Sequence, residues 1–298
     1  MKIGLIGLGK MGLNLALNMQ AHEQVAVGLD LKSANLAAAR QHGLATATDL
    51  DDLLAQLPAP KIVWVMVPAG KATTAVIQQL TAKLSAGDIV IDGGNSYYQD
   101  SIQHAKQLAE HQIHFLDVGT SGGQAGARQD GNFMIGGDKA TFKQVEPLFK
   151  AIAAKDGYLY TGPAGSGHFL KMVHNGIEYG MMAAIGEGFD VLQNSPYHYD
   201  NAAVAKVWNN GSVIRSWLME LAENAFDADG NLDQIKGTMH SSGEGRWTLD
   251  TALDQHVATP VIAMALMERY RSLSDDTFTG KVVAALRNQF GGHAVDHE

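Results

Sequence analysis

Through the first half of the chain, short runs of aliphatic and β-branched residues alternate with longer stretches patterned at helical spacing. Residues 2–6, 24–30, 62–67, 89–92 and 114–118 are of strand length and nearly continuously apolar, as strands buried on both faces of a parallel sheet must be. A further pair falls near 133–135 and 158–160. Amphipathic segments fit between these runs. Residues 33–42 are predicted as one such helix, with Ser33 as its N-cap and Gly43 as its stop. This alternation predicts a doubly wound α/β domain.

From about Gly165 the strand signals fade and helical patterns take over, at 167–193, 201–224, 248–255, 259–272 and 276–290. The segment Gly162-Pro163-Ala164-Gly165-Ser166-Gly167 reads as a hinge ending in a helix start. The expected organisation is an α/β domain over 1–164 followed by an all-helical domain over 165–298.

Composition narrows the function classes. The 298 residues, 46% of them hydrophobic and 18% charged, suit an ordinary globular protein with a large core. A net charge of −9 argues against nucleic acid as a partner, because such binding needs a basic surface to displace counterions. The absence of cysteine removes disulfides, thiolate nucleophiles and Cys-ligated zinc, and makes the cytoplasm the expected compartment. The longest apolar runs are strand-sized and the chain opens directly on an element, so neither a signal peptide nor a membrane span is expected. Twelve histidines are scattered without metal-ligand spacing, so no metal is expected.

Gly7-Leu8-Gly9-Lys10-Met11-Gly12 follows the first strand and opens a helix, as a dinucleotide fingerprint should. The first glycine makes the turn, the second admits the pyrophosphate to the backbone, and the third lets helix and sheet pack closely. The free N–H groups and dipole of the helix start favour a phosphate there. The second strand ends in Asp30, placed to accept from both ribose hydroxyls, which predicts NAD in preference to NADP; Lys32 and Arg40 could soften the repulsion of a 2′-phosphate. The first domain is therefore expected to be of Rossmann type. Val67-Pro68-Ala69-Gly70 would pass near the nicotinamide, while the turns Asp92-Gly93-Gly94-Asn95-Ser96 and Gly119-Thr120-Ser121-Gly122-Gly123 suggest a cradle for an oxyanion or carboxylate.

Within an otherwise apolar helical run, Lys171, His174, Asn175 and Glu178 fall at i, i+3, i+4 and i+7, hence on one stripe. Such a stripe is usually a solvated face. Here its flanks are apolar or small, and Gly176 and Gly180, each costing about 1 kcal/mol in a helix, make better sense where a backbone or ligand comes close. An amine, an imidazole, an amide and a carboxylate on a buried face could move protons on a bound polyol.

Taken together, GLGKMG, IDGGNS, VGTSGG, KMVHNGIEYG, GEGRW and the terminal RNQFGGH resemble the 6-phosphogluconate dehydrogenases in their shorter form, over essentially the whole chain. The resemblance implies oxidation of 6-phosphogluconate at C3, loss of CO2 and protonation to ribulose 5-phosphate. It makes Lys171 the base, which must start neutral, and Glu178 the acid that protonates the enediol. It also has Asn175 and Asn95 orienting hydroxyls, His174 assisting, and Ser121, Gly122 and Gly123 holding the C1 carboxylate. Tyr179, Arg269, Arg287 and His293 fall to the phosphate, the last two reaching from the C-terminal tail into a neighbouring subunit, which implies at least a homodimer.

The chain departs from the longer members in two respects. No lysine precedes Gly243 in Ser241-Ser242-Gly243-Glu244-Gly245-Arg246-Trp247, so phosphate contact there passes to Ser242 or is lost, and the helical domain is too short for an internal duplication. Another β-hydroxyacid dehydrogenase, acting on 3-hydroxyisobutyrate or a tartronate semialdehyde, would share the fold and the lysine but lack Glu178-Tyr179 and the arginine–histidine set. A non-catalytic NAD-binding sensor would have no need of the stripe.

Overall fold

The computed structural model describes residues 1–291 and Ala294. The chain opens β1 (Lys2–Ile6), α1 (Lys10–Ala21), β2 (Val25–Leu29), α2 (Ser33–Gln41), β3 (Ala45–Thr46), α3 (Leu50–Ala55), β4 (Ile62–Val65), α4 (Lys71–Lys83), β5 (Ile89–Asp92) and α5 (Tyr98–Ala109). It continues β6 (His114–Ser121), α6 (Gly123–Arg128), β7 (Gly131–Gly137), α7 (Lys139–Ile152) and β8 (Ala153–Gly162). Helices alone follow: α8 (Ser166–Gln193), α9 (Asn201–Asn209), α10 (Trp217–Ala228), α11 (Gly243–Asp254), α12 (Pro260–Arg271) and α13 (Phe278–Gly291). Two compact units result, Met1–Asn175 and Gly176–Glu298, and the division lies inside α8.

The eight strands form one sheet in the order β3-β2-β1-β4-β5-β6-β7-β8, parallel except where β7 runs antiparallel to β6. Alternation along each strand explains the two covered faces. Ile3, Leu5, Trp64, Ile89 and Ile91 pack with α1 and α7 through Leu15, Met19, Phe142 and Phe149. Their neighbours Ile6, Val63, Val65 and Val90 pack with α3, α4 and α5 through Leu53, Ile77, Leu80 and Leu108. Strand order reverses between β1 and β4, which opens the ligand crevice of such a sheet beyond their carboxyl ends. The expected Rossmann-type α/β domain followed by helices is therefore present.

Local expectations needed revision, among them the helix expected over 248–255, which begins at Gly243 as α11. Lys32, not Ser33, occupies the cap position of α2 and provides no side-chain cap, whereas Gly43 does end the helix with φ +76°. The single helix expected over 201–224 is two, α9 and α10, because Gly211 takes φ +85° and Ser216 caps a new start by accepting from the Met219 N–H. The two-residue strand β3 was not foreseen; its pairing with β2, not its own pattern, makes it a strand. Among the described residues no helix is long and apolar enough to cross a membrane.

Candidate active site

The cofactor loop has the geometry its glycines require. Gly7 adopts φ +98°, and a Cβ on Gly12 would land on the Gly7 carbonyl, so α1 can leave the turn only without a side chain there. A Cβ on Gly9 would meet nothing, and Gly9 caps α1 without a side-chain bond, which leaves open space in front of the helix start. Leu8 is buried while Lys10 is exposed and Met11 half-buried. These features fit a dinucleotide pyrophosphate.

Asp30, at the end of β2, is tied into this loop. Its Oδ2 accepts from the Leu8 N–H at 2.7 Å and from the Asn35 amide at 3.0 Å, and its Oδ1 accepts from the Lys32 N–H at 2.7 Å. Partial burial pushes the carboxyl up, but the bonds from Lys32, Asn35 and Leu8, with the Lys32 charge, outweigh it and hold the group below its usual value. The Arg40 guanidinium is engaged with Thr46 Oγ1 at 2.8 Å.

The loops beyond β4, β5 and β6 interlock. Val67 and Pro68 lie past the end of β4, where the Pro68 carbonyl accepts from Thr73 Oγ1 at 3.0 Å. Buried Asp92 anchors the next turn by accepting from the Gly94 N–H at 3.0 Å and Ser96 Oγ at 2.7 Å. Asn95, at φ +52°, pairs both ends of its amide with the Thr120 backbone, its Nδ2 donating at 3.1 Å and its Oδ1 accepting at 2.9 Å. One amide hydrogen and one lone pair remain for a ligand. Gly122 and Gly123 both take left-handed φ, +94° and +60°, at the start of α6.

Three of the four stripe residues fall in the first unit and meet there. Lys171 is 5% exposed, and its Nζ donates to Asn175 Oδ1 at 2.8 Å. His174 Nδ1 lies 2.9 Å from the same oxygen, and its Nε2 lies 3.2 Å from Ser121 Oγ. These partners are satisfied when Nδ1 carries the proton and Nε2 accepts from Ser121; the 3.5 Å approach of Lys171 Nζ to Nδ1 is then a contact between two donors. Ser121, expected at a carboxylate, is thus also the start of a hydrogen-bonded chain that ends at the Lys171 amine.

Glu178 lies two turns beyond Lys171 on α8, half-buried and in the second unit. That unit gathers Tyr179, Ser242 and Arg269. Tyr179 is 4% exposed, and its hydroxyl accepts from the Ser242 N–H at 3.0 Å and lies 3.2 Å from Ser242 Oγ. The Arg269 guanidinium stacks 3.6 Å from the Tyr179 ring centre and donates to the His240 carbonyl at 2.9 Å. Gly245 and Gly176 allow this closeness: a Cβ on Gly245 would strike the Tyr179 ring, and one on Gly176 would strike Thr248. Arg287 is exposed on α13, and His293 lies outside the described residues.

Residues 2–162 match the NAD binding domain of 6-phosphogluconate dehydrogenase, and residues 167–294 match the C-terminal domain of 6-phosphogluconate dehydrogenase. The chain belongs to the 6-phosphogluconate dehydrogenase family. It is 58% identical over 296 residues to YqeC of Bacillus subtilis, covering 99% of each chain, a relative named only provisionally for this activity. It is 41% identical over 297 residues to the NAD(+)-dependent, decarboxylating 6-phosphogluconate dehydrogenase of Haloferax volcanii, covering 99% of this chain and 98% of that one. The Plasmodium falciparum 6-phosphogluconate dehydrogenase structure superposes with a TM-score of 0.83 at 30% identity, over 100% of this chain and 66% of that longer one.

Sequence reasoning passed over Asp117, Ser101 and His168. Asp117 is fully buried in β6 and accepts from the Gly165 and His168 N–H groups, while Ser101 Oγ lies 2.7 Å from His168 Nδ1. The available signal was an acid inside the apolar run Phe115-Leu116-Asp117-Val118, which needs a partner if the strand is buried.

Proposed function

We propose that this oxidoreductase converts 6-phosphogluconate, with NAD as the preferred acceptor, to ribulose 5-phosphate and CO2. The observation that carries the reading is the buried Lys171 amine at the end of the Ser121–His174–Asn175 chain. Bound NAD supplies the hydride acceptor. Lys171 takes the proton of the C3 hydroxyl, for which it must begin as the neutral amine. Holding the proton, Lys171 donates to the new C3 carbonyl oxygen. The C1–C2 bond then breaks, CO2 leaves, and the electron pair stays on the sugar as an enediol stabilised by that hydrogen bond. Glu178 delivers a proton to the former C2, which becomes C1 of the pentulose. A β-keto acid holds its own electron sink, so these steps balance without a further reactant.

NAD preference is read from Asp30 at the end of β2, a carboxylate that would repel a 2′-phosphate bound beside it. Tyr179, Ser242 and Arg269 are read as the phosphate end, with Ser242 in place of a lysine. Homodimer formation is supported by the apolar side chains that the helical unit leaves exposed, among them Val261 at 67%, Met264 at 55% and Leu286 at 60%. The test is reduction of NAD and of NADP with 6-phosphogluconate and, separately, unphosphorylated gluconate, while trapping CO2. One CO2 per cofactor reduced, with NAD and the phosphorylated acid favoured, is expected. Cofactor reduction without CO2 would remove decarboxylation, and equal use of gluconate would remove the phosphate end.

A further inference from the structure

We infer that Asp117 is a positioning residue for Lys171: its carboxylate clamps the first turn of α8 to β6 and so fixes where the amine stands. The inference rests on the catalytic reading of Lys171 given above. Asp117 is 0% exposed; Oδ1 accepts from the Gly165 N–H at 2.7 Å and Oδ2 from the His168 N–H at 2.8 Å. Both donors belong to the start of α8, where N–H groups lack partners within the helix and the dipole favours negative charge. Charge-assisted bonds of this kind are about twice as strong as neutral ones.

The surrounding contacts leave the clamp in control. Two residues past Asp117 on β6, Gly119 has no side chain, and the space its Cβ would take is filled by the Cβ of Lys171. Gly136 of β7 and Gly167 of α8 stand back to back, and a Cβ on either would come within 2.7 Å of the other's backbone nitrogen. At the Gly136–Gly167 contact the helix therefore rests on the sheet backbone to backbone, beside the Asp117 carboxylate and Ser166 Oγ. Ser101 of α5, holding His168 Nδ1, and Thr161, 2.7 Å from Ser166 Oγ, tie the same turn from the sides. Lys171 lies one turn beyond His168, so any slide of this turn along Asp117 is passed to the amine. A cap serving stability alone predicts a lower melting temperature and unchanged turnover; positioning predicts a loss in kcat.

The test uses full-length Asp117→Asn, in which one acceptor becomes a donor facing an N–H, and Asp117→Ser, which keeps an acceptor for one amide. Asp117→Asn is expected to lower kcat for 6-phosphogluconate about 10- to 100-fold, the effect of misplacing a catalytic group by a fraction of an ångström. KM and the NAD dissociation constant should stay within about twofold, and Asp117→Ser should recover part of the loss. Folded variants with lower melting temperatures and undiminished kcat would overturn the assignment. Amide hydrogen exchange across 165–171 is measured in parallel: faster exchange there in the variants supports the clamp, and unchanged exchange overturns it whatever the substrate proves to be. If neither variant folds, the wild type decides, since Gly165 and His168 amides exchanging at loop rates would overturn the clamp and strong protection would support it. Wild-type inactivity on 6-phosphogluconate would instead overturn the functional reading, leaving the exchange result to stand by itself.

Discussion

Asp30 shows how one carboxylate can hold a loop and, on the proposed reading, also face the cofactor. Its bond to the Leu8 N–H reaches into the glycine turn, and its charge is secured by three donors. Asp30→Ser is expected to lower the NAD over NADP ratio of kcat/KM about tenfold, with part of the change appearing as weaker NAD binding from the loosened turn. An unchanged ratio would show that discrimination lies elsewhere. At Lys171 the expected outcome is sharper: Lys171→Ala should lose about 10³-fold or more in hydride transfer while NAD titrates as before. Single-turnover absorbance separates the two, and retained turnover would remove Lys171 as the base.

Among elements, α4, α5 and the start of α8 are joined by buried imidazoles. His104 of α5 places Nε2 3.1 Å from Thr74 Oγ1 of α4, and the buried ring of His168 meets Ser101. Burial, with a smaller push from His168, holds the His104 imidazole below its ordinary 6.5 against the pull of Asp92 and Asp100. Above about 6.5 both folded and unfolded chains carry it neutral and its stability contribution is complete. As the pH falls below that value the unfolded chain takes the proton first, and stability drops until the folded imidazole is protonated too. Urea midpoints at pH 7.5 and 5.0 are expected to fall less for His104→Asn than for the wild type; equal falls would exclude His104 as a source of the acid sensitivity.

Elements were legible in the chain where a pattern is local and long. The strands beginning at Lys2 and Ile62, the glycine fingerprint and α8 declare themselves by periodicity, and α8 persists through Gly176, Gly180, Gly186 and Gly188 because two of these glycines admit neighbours: Thr248 at Gly176 and Val261 at Gly180. The break between α9 and α10 was hidden because Asn210-Gly211-Ser212 interrupts an otherwise acceptable helical pattern with only one residue that demands a left-handed turn. The partners of Asp117 and His168 were illegible for a different reason: they lie 48 to 67 residues away, so no window on the sequence contains them. The stripe itself was visible, but not the reach of its histidine to Ser121, 53 residues back.

At the scale of the whole molecule the proposed phosphate end is tested at the C-terminal tail. Arg287→Ala is expected to raise KM for the phosphorylated substrate about tenfold with little change in kcat. If the tail acts across subunits, mixing it with Lys171→Ala chains should restore part of the activity that neither variant has at low substrate; mixtures no better than the sum of their parts would keep the tail within its own chain. The division of the molecule inside α8 bears on a separate matter. The dinucleotide fold is often regarded as a module that recombination can graft onto new partners at its exit loop. In this chain a junction at the glycine-rich segment after β8 would discard the amides that Asp117 holds and bare the glycine floor beneath Lys171. A viable exchange must carry the first turns of α8 along, so on the proposed reading the base travels with the cofactor domain and only the proposed acid and phosphate end are open to replacement.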